Sequence, residues 1–140
     1  AEGASSWFLP RLVGMSKALE WAMSARIFRS EEALEAGLIR SIYEPDDLLP
    51  AAYKLAREFA SNSRVSNAII RQMFWRMQGA EDPVIAHRLD TKGMVQRGVS
   101  ADATEGTTAF LEKRAAKFPD KVSQDMPDFF PWWEEPKFLE

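Results

Sequence analysis

Cysteine is absent from the sequence, and histidine occurs once, at His87. The absence of thiols excludes disulfides, thiol nucleophiles and every zinc site with sulfur ligands. A single imidazole excludes a multi-histidine metal site, and a Ser-His-Asp triad would have to be built around that one residue. We predict that His87 is structural or simply exposed, and that the protein holds no metal ion.

Long apolar runs and clusters of basic residues are also missing. No apolar stretch approaches the roughly 18 to 20 residues that cross a bilayer, and no run of lysines or arginines offers a footprint for nucleic acid. The 18 basic and 21 acidic side chains give the 140-residue chain a formal net charge of −3. These observations predict a protein of a reducing, cytoplasmic compartment that binds neither nucleic acid nor membranes.

The start of the sequence is unusual. Its first residue is Ala1, its first methionine is Met15, and residues 1–6 are typical of the inside of a loop. We expect either that a leader has been removed or that the chain is one piece of something longer.

Glycine is scarce, and its seven copies form neither of the common phosphate-binding loops, G-x-G-x-x-G and G-x-x-x-x-G-K. The apolar residues instead recur at helical spacing almost throughout. The spacing predicts a helix from about Met15, a short helix from Ser30 to Gly37, and a single short strand near residues 38–43. We therefore predict a mainly α fold with five or six helices and one strand.

The second half of the predicted helical region is delimited by capping signals. Asp46 or Asp47 opens a helix that ends at Asn62, and Asp82 followed by proline opens another. Asp102 with an acidic residue three positions later resembles a capping box, which predicts a last helix to about Ala116.

The final residues, 119–140, have a different composition. They contain four of the eight prolines together with several phenylalanines and tryptophans. Proline excludes a helix of useful length there, whereas the aromatic content is too high for a solvated tail. We predict a domain boundary after Phe118 and an extended arm that packs on another surface.

Two sets of residues are candidates for chemistry. Glu2 precedes an apolar segment, which would raise its pKa and suit a general base, but it could equally be an exposed acid. Gly106, Phe110 and Lys113 fall at i, i+4 and i+7 of the last predicted helix, so one face could hold a nucleotide-like group. In the alternative interpretation, Phe110 belongs to the core and Lys113 is solvated.

Three segments together resemble the crotonase superfamily, which comprises the enoyl-CoA hydratases and isomerases. They are LPRLVG at 9–14, ARIF with EALEAGLI at 25–39, and SADATEGTTAFLEKR with the phenylalanine at 100–118. Their order and spacing match the family across about residues 1–118. Each motif alone is weak, but the three in register identify the family.

The resemblance implies a fold and a chemistry. Family members bind acyl-CoA thioesters in a β-β-α superhelical domain, and two backbone N–H groups hold the thioester oxygen while an enolate forms. Their C-terminal helices build a trimer, often stacked into a hexamer. This chain is expected to be that C-terminal helical region, and to be inactive without the segments that supply the oxyanion donors. The alternative is a non-catalytic helical assembly module derived from the same family.

The resemblance also assigns roles to particular residues. Phe110 and Lys113 match the residues that contact the adenosine and phosphate end of CoA, usually from a neighbouring subunit. Glu2 matches the catalytic glutamate of some isomerases, which moves a proton from C2 to C4 of a 3-enoyl-CoA. Trp7 and Phe8 depart from the usual hydratase loop and are expected to form an apolar wall near the acyl group. CoA enters as part of the substrate, and no separate cofactor is expected.

Overall fold

The structure is a computed structural model that describes residues 3–134. Within these residues the chain forms seven α-helices, which confirms the mainly α prediction. Their bounds are α1 (Ser5–Val13), α2 (Met15–Ser24), α3 (Ser30–Glu35), α4 (Pro45–Ala60), α5 (Arg64–Met77), α6 (Pro83–Gly98) and α7 (Ala101–Leu111). The chain divides after Ala52 into two compact units, which we call unit 1 and unit 2.

The predicted strand near residues 38–43 is wrong, because residues 36–40 form turns and bends and residues 41–44 have no regular structure. The backbone N–H groups of Leu38 and Ile39 bond back to the carbonyl oxygen of Ala33, at 2.9 and 3.3 Å. These bonds complete the end of α3, with Gly37 at a φ of 77°. The apolar spacing therefore reflects a helix exit and not the alternation of a strand.

Helix α1 is absent from the predictions. Small residues at 3–6 and Pro10 argue against a helix in this segment. The structure nevertheless starts one after Ala4, whose left-handed backbone (φ 57°) directs its carbonyl oxygen to the N–H groups of Trp7 and Phe8 at 2.9 and 3.0 Å. Pro10 lies inside the helix.

Helix α7 differs from its prediction at both ends. Ser100 is the N-cap, because its hydroxyl accepts a hydrogen bond from the Ala103 N–H at 3.1 Å. Asp102, the predicted cap, is instead buried. The helix ends at Leu111 and not near Ala116. By contrast, the Asp82 cap of α6 is confirmed by its hydrogen bond from the Val84 N–H at 2.8 Å.

Unit 1 is held by the packing of α1 on α2 and by one aromatic stack. The buried Trp21 ring lies 4.0 Å from the ring of Phe28 at an interplanar angle of 10°. Its indole N–H donates to Glu32 Oε1 at 2.8 Å, which links α2 to α3. Glu32 also accepts from the guanidinium of Arg26. One carboxylate thus joins the two helices and the segment between them.

Unit 2 has an apolar cluster between α5 and α6. Its buried members are Val65, Ile69, Met73 and Leu89. The arm is non-helical over residues 119–134, and its side chains pack against this cluster. Those packing residues are Met126, Phe129, Phe130 and Trp132. The contacts give the aromatic residues of the arm an apolar environment.

Candidate functional site

The predicted general base, Glu2, lies outside the described residues, so its role stays a prediction. The loop that follows it is distinctive. Gly3 and Ala4 both have left-handed backbone conformations, with φ values of 58° and 57°. L side chains disfavour this region of backbone conformation. Two consecutive left-handed residues turn the chain sharply into α1.

Trp7 and Phe8 lie on α1, half-buried and in contact with each other. Their ring centroids are 4.8 Å apart in an edge-to-face arrangement, and the Arg11 guanidinium lies 4.1 Å from the Trp7 ring centroid. Unit 1 also contains a largely apolar cavity of about 530 Å³, lined by α1, α2 and Phe28. Neither Trp7 nor Phe8 is among its lining residues. Their role as an acyl wall stays a prediction.

The two predicted CoA contacts lie where α7 ends. Phe110 is 81% exposed, and Lys113 is also exposed. The chain leaves the helix through a Schellman turn, in which the Arg114 N–H bonds to the Ala109 carbonyl at 3.0 Å and the Lys113 N–H to the Phe110 carbonyl at 3.2 Å. Phe110 and Lys113 are therefore adjacent at this exit, although Lys113 lies beyond the helix and does not continue its face.

Lys113 occupies the position at which helices usually place glycine. Its φ is 54°, and a left-handed conformation costs a residue with a side chain on the order of 1 kcal/mol. Gly106, by contrast, faces the ring of Phe118. A Cβ built at Gly106 would lie 3.4 Å from the Phe118 ring, so this glycine allows the ring to approach the helix.

Residues 112–117, which we call the exit turn, are tied to Glu105 on α7. The Arg114 guanidinium donates to both carboxylate oxygens, at 2.6 and 2.9 Å, and the Lys117 backbone N–H donates to Glu105 Oε1 at 2.6 Å. These donors lower the pKa of Glu105 to about 2, with Arg114 the larger cause. Glu105 is therefore ionised throughout the physiological range.

A second polar network lies deeper in unit 2. Arg97 Nη2 donates to Asp102 Oδ2 at 3.1 Å and to Asp120 Oδ2 at 2.7 Å. Asp102 Oδ1 accepts from the Asp120 backbone N–H at 2.9 Å, and Oδ2 accepts from the Ser63 hydroxyl. The network links α6, α7 and the first residues of the arm. Sequence reasoning missed it, because the only signal was an aspartate near a helix start, which is also typical of a cap.

The remaining titratable candidates have structural surroundings. Glu32 has its pKa lowered to about 2, first by hydrogen bonds from Arg26 and then by that from Trp21. His87 is exposed on α6, which agrees with the second of the two predicted alternatives, structural or simply exposed. Among residues 3–134, no three acidic or histidine side chains are placed to hold a metal ion. In the same part of the chain, no helix is both long and apolar enough to cross a membrane.

Comparisons with known proteins agree with the motifs. The family model for Enoyl-CoA hydratase/isomerase matches residues 1–121. Enoyl-CoA hydratase AKT3-2 of Alternaria alternata is 33% identical over 126 residues, covering 89% of this chain and 42% of the relative. The 1,2-epoxyphenylacetyl-CoA isomerase of Escherichia coli K12 is 33% identical over 118 residues, covering 83% of this chain and 44% of the relative. The chain thus spans less than half the length of these curated relatives.

Solved structures give the same result. A probable enoyl-CoA hydratase/isomerase from Mycobacterium abscessus superimposes with a TM-score of 0.79 at 27% identity, covering 86% of this chain and 47% of that one. An enoyl-CoA hydratase from Mycobacterium tuberculosis H37Rv gives a TM-score of 0.77 at 27% identity, covering 84% and 46%. Together with the helical fold and the three motifs, these matches show that the chain belongs to the enoyl-CoA hydratase/isomerase family of the crotonase superfamily.

Proposed function

We propose that the chain forms the helical, CoA-contacting part of an enzyme that acts on acyl-CoA thioesters through a stabilised enolate. Family membership supports the reaction class. The observation that carries the proposal is the exit from α7, where Phe110 and Lys113 are both exposed and are joined by a backbone hydrogen bond, at the positions that the family resemblance assigns to CoA. An aromatic ring and an ammonium group suit the adenine and phosphate groups of that ligand.

CoA binding tests this proposal, with the 140-residue chain joined to the unmatched portion of the Escherichia coli isomerase so that the superhelical part of the CoA site is present. Calorimetric titration with CoA should show binding that weakens about threefold in Lys113→Ala, because an exposed ion pair contributes about 0.2–1 kcal/mol. Phe110→Ala should weaken it about tenfold, because stacking contributes about 1–3 kcal/mol per base. Lys92→Ala is the matched control, since it removes one exposed positive charge from α6. Equal affinities for Lys113→Ala and Lys92→Ala would contradict the assignment.

For the reaction itself, we propose a double-bond shift in which Glu2 takes a proton from C2 and returns it at C4. The resemblance to isomerases around Glu2 supports this choice. Trp7 and Phe8 would then border the acyl group. We expect no turnover by the 140-residue chain alone, because the resemblance assigns the oxyanion donors to segments outside it.

The reaction is tested by supplying those segments. The chain would be joined to the unmatched portion of the Escherichia coli isomerase, and both the double-bond shift of a 3-enoyl-CoA and hydration of a 2-enoyl-CoA would be assayed. Glu2→Gln should lower the shift by about 100-fold or more, the usual contribution of a general base. Glu31→Gln, an exposed acid on α3, is the control. Unchanged isomerisation in Glu2→Gln would exclude it as the base.

We also propose that the protein assembles as a trimer or hexamer. Large apolar side chains that are exposed in the single chain support this, among them Phe74 at 74%, Met94 at 70% and Val99 at 86%. Sedimentation velocity should therefore give a mass of three or six chains, and Val99→Asp should lower it. An assembled chain that binds no CoA would favour the non-catalytic assembly module. The cytoplasmic location and the absence of a separate cofactor stay predictions.

A further inference from the structure

The exit turn contains a left-handed lysine, which is an unfavourable conformation for a residue with a side chain. Lys113 has a φ of 54°, whereas the usual residue at this point of a Schellman turn is glycine. The two backbone bonds that close the turn offset part of this cost. Side-chain interactions specific to this chain add to them.

Glu105 supplies those interactions from two turns earlier in α7. Its carboxylate receives two nearly parallel bonds from Arg114, at 2.6 and 2.9 Å, and a third from the backbone of Lys117 at 2.6 Å. A bidentate arginine contact fixes both distance and direction. The chain after Lys113 is thus folded back along α7 by one acidic side chain.

Of the two acidic partners of Arg114, Glu105 is the less exposed. The Glu105 side chain is 18% exposed, while that of Glu112, which bonds to Arg114 Nε at 2.6 Å, is 56% exposed. Glu112 also bonds to no backbone group of the exit turn among the described contacts. Glu105 is therefore the acidic residue that fixes the turn, and Glu112 is an accessory partner of Arg114.

We propose that Glu105 is a positioning residue for CoA binding, which acts through Arg114 and the exit turn to hold Lys113 where it meets the phosphate groups of CoA. Glu105 itself carries a negative charge, so it does not bind phosphate. Its effect on affinity passes through the conformation of Lys113. This inference rests on the proposed function, because it assumes that Lys113 is a CoA contact.

A double-mutant cycle with CoA as the probe tests the inference. Glu105→Gln keeps the size of the side chain and removes its charge, and it should weaken CoA binding about as much as Lys113→Ala. Combined with Lys113→Ala, it should have no further effect, because the residue that it positions is gone. Glu58→Gln, which removes one exposed negative charge from α4, is the control and should leave affinity within about twofold of the unmodified chain. A purely structural role for Glu105 would instead give independent losses that multiply.

A second measurement reports the turn directly. The three-bond coupling between the amide and α protons of Lys113, measured by NMR, should shift from its left-handed value in Glu105→Gln. If Glu105→Gln fails to fold, Arg114→Lys serves instead, since lysine keeps the charge but loses the two parallel bonds. Lys113→Arg keeps a cation at the turn. It should retain CoA affinity when Glu105 is present and lose it in combination with Glu105→Gln.

The outcomes separate the two proposals. If Lys113→Ala leaves CoA affinity unchanged, the proposed function is wrong and the inference falls with it. If Lys113→Ala weakens binding but Glu105→Gln does not, or if their effects multiply, only the inference is wrong. Non-additive losses together with a changed coupling at Lys113 support both.

Discussion

Units 1 and 2 keep their helices in place by different means. The buried apolar side chains of unit 1 are those of Ala18, Trp21 and Ala33, whereas unit 2 buries the larger set around Ile69 and Leu89. Because stabilisation by burial scales with the apolar area removed from water, unit 2 gains more from its core. Unit 1 depends more heavily on directed contacts, above all those of Glu32.

The polar contacts of the two units differ in the same way. Glu32 and its partner Arg26 have side chains that are 27% and 37% exposed, whereas Arg97 and Asp102 are 14% and 3% exposed. An exposed ion pair is screened by water and contributes little, while breaking a buried one leaves an uncompensated charge. The same type of contact should therefore matter far more in unit 2. Four predictions test this difference.

The largest effect is expected at the buried network. Arg97→Met should lower the free energy of unfolding by about 4 kcal/mol, because Asp102 and Asp120 would lose the cation between them. Urea unfolding of the 140-residue chain measures this. Arg88→Met is the control, an exposed arginine on the same helix, and should cost less than about 0.5 kcal/mol. Equal losses in the two variants would remove the distinction between buried and exposed pairs.

The apolar cluster of unit 2 gives the second effect. Ile69→Ala should cost about 3 kcal/mol, since the side chain is 3% exposed and its removal leaves a cavity. The neighbouring Ile70 is 46% exposed, so Ile70→Ala should cost below about 1 kcal/mol. Urea unfolding again provides the measurement. A similar loss in both would mean that the cluster is not the main source of stability.

A smaller effect is expected in unit 1. Trp21→Phe keeps an aromatic ring against Phe28 but removes the N–H that bonds to Glu32. The loss should be about 2 kcal/mol, because a hydrogen bond to a charged group contributes about 1.5–3 kcal/mol. Thermal unfolding followed by circular dichroism measures it, with Trp7→Phe as a control on α1. A loss above about 3 kcal/mol would show that unit 1 depends on this contact as strongly as unit 2 on its core.

The smallest effect on stability is expected when the pH is lowered. The pKa values of Glu32 and Glu105 are about 2 in the folded chain, below the ordinary value of 4.5. Their contribution to stability is therefore complete above about pH 4.5 and is lost as the pH falls toward 2. The unfolding temperature should decline across this window. The decline should be shallower in Glu32→Gln, and an unchanged slope would mean that its ion pairs are energetically neutral.

Much of the fold could be predicted from local signals. The Asp82 cap with its following proline and the break at Asn62 each act within a few residues, so the sequence was enough to find α6 and the end of α4. The prediction of a strand at residues 38–43 was wrong for a physical reason. Apolar spacing over six residues does not distinguish a strand from a helix exit, and the distinguishing bonds to Ala33 depend on the turn at Gly37.

The candidate site was predictable only in part. The motif indicated Phe110 and Lys113, and both are exposed at the end of α7. The surroundings that hold them depend on contacts across longer separations: Glu105 meets Arg114 nine positions away, and Arg97 meets Asp120 across 23. Such pairs leave no periodic trace in a single sequence, because many charges of either sign stand at comparable spacings.

The aromatic residues of the arm have an optical consequence. Trp132 and Trp133 lie with ring centroids 4.9 Å apart at 85°, and the Arg76 guanidinium sits 3.6 Å from the centroid of the Trp133 ring. Two indoles this close and this strongly inclined couple their electronic transitions, which produces a paired positive and negative band in the ultraviolet circular dichroism spectrum. The protein therefore carries an intrinsic reporter of the geometry of this indole pair, which needs no added dye.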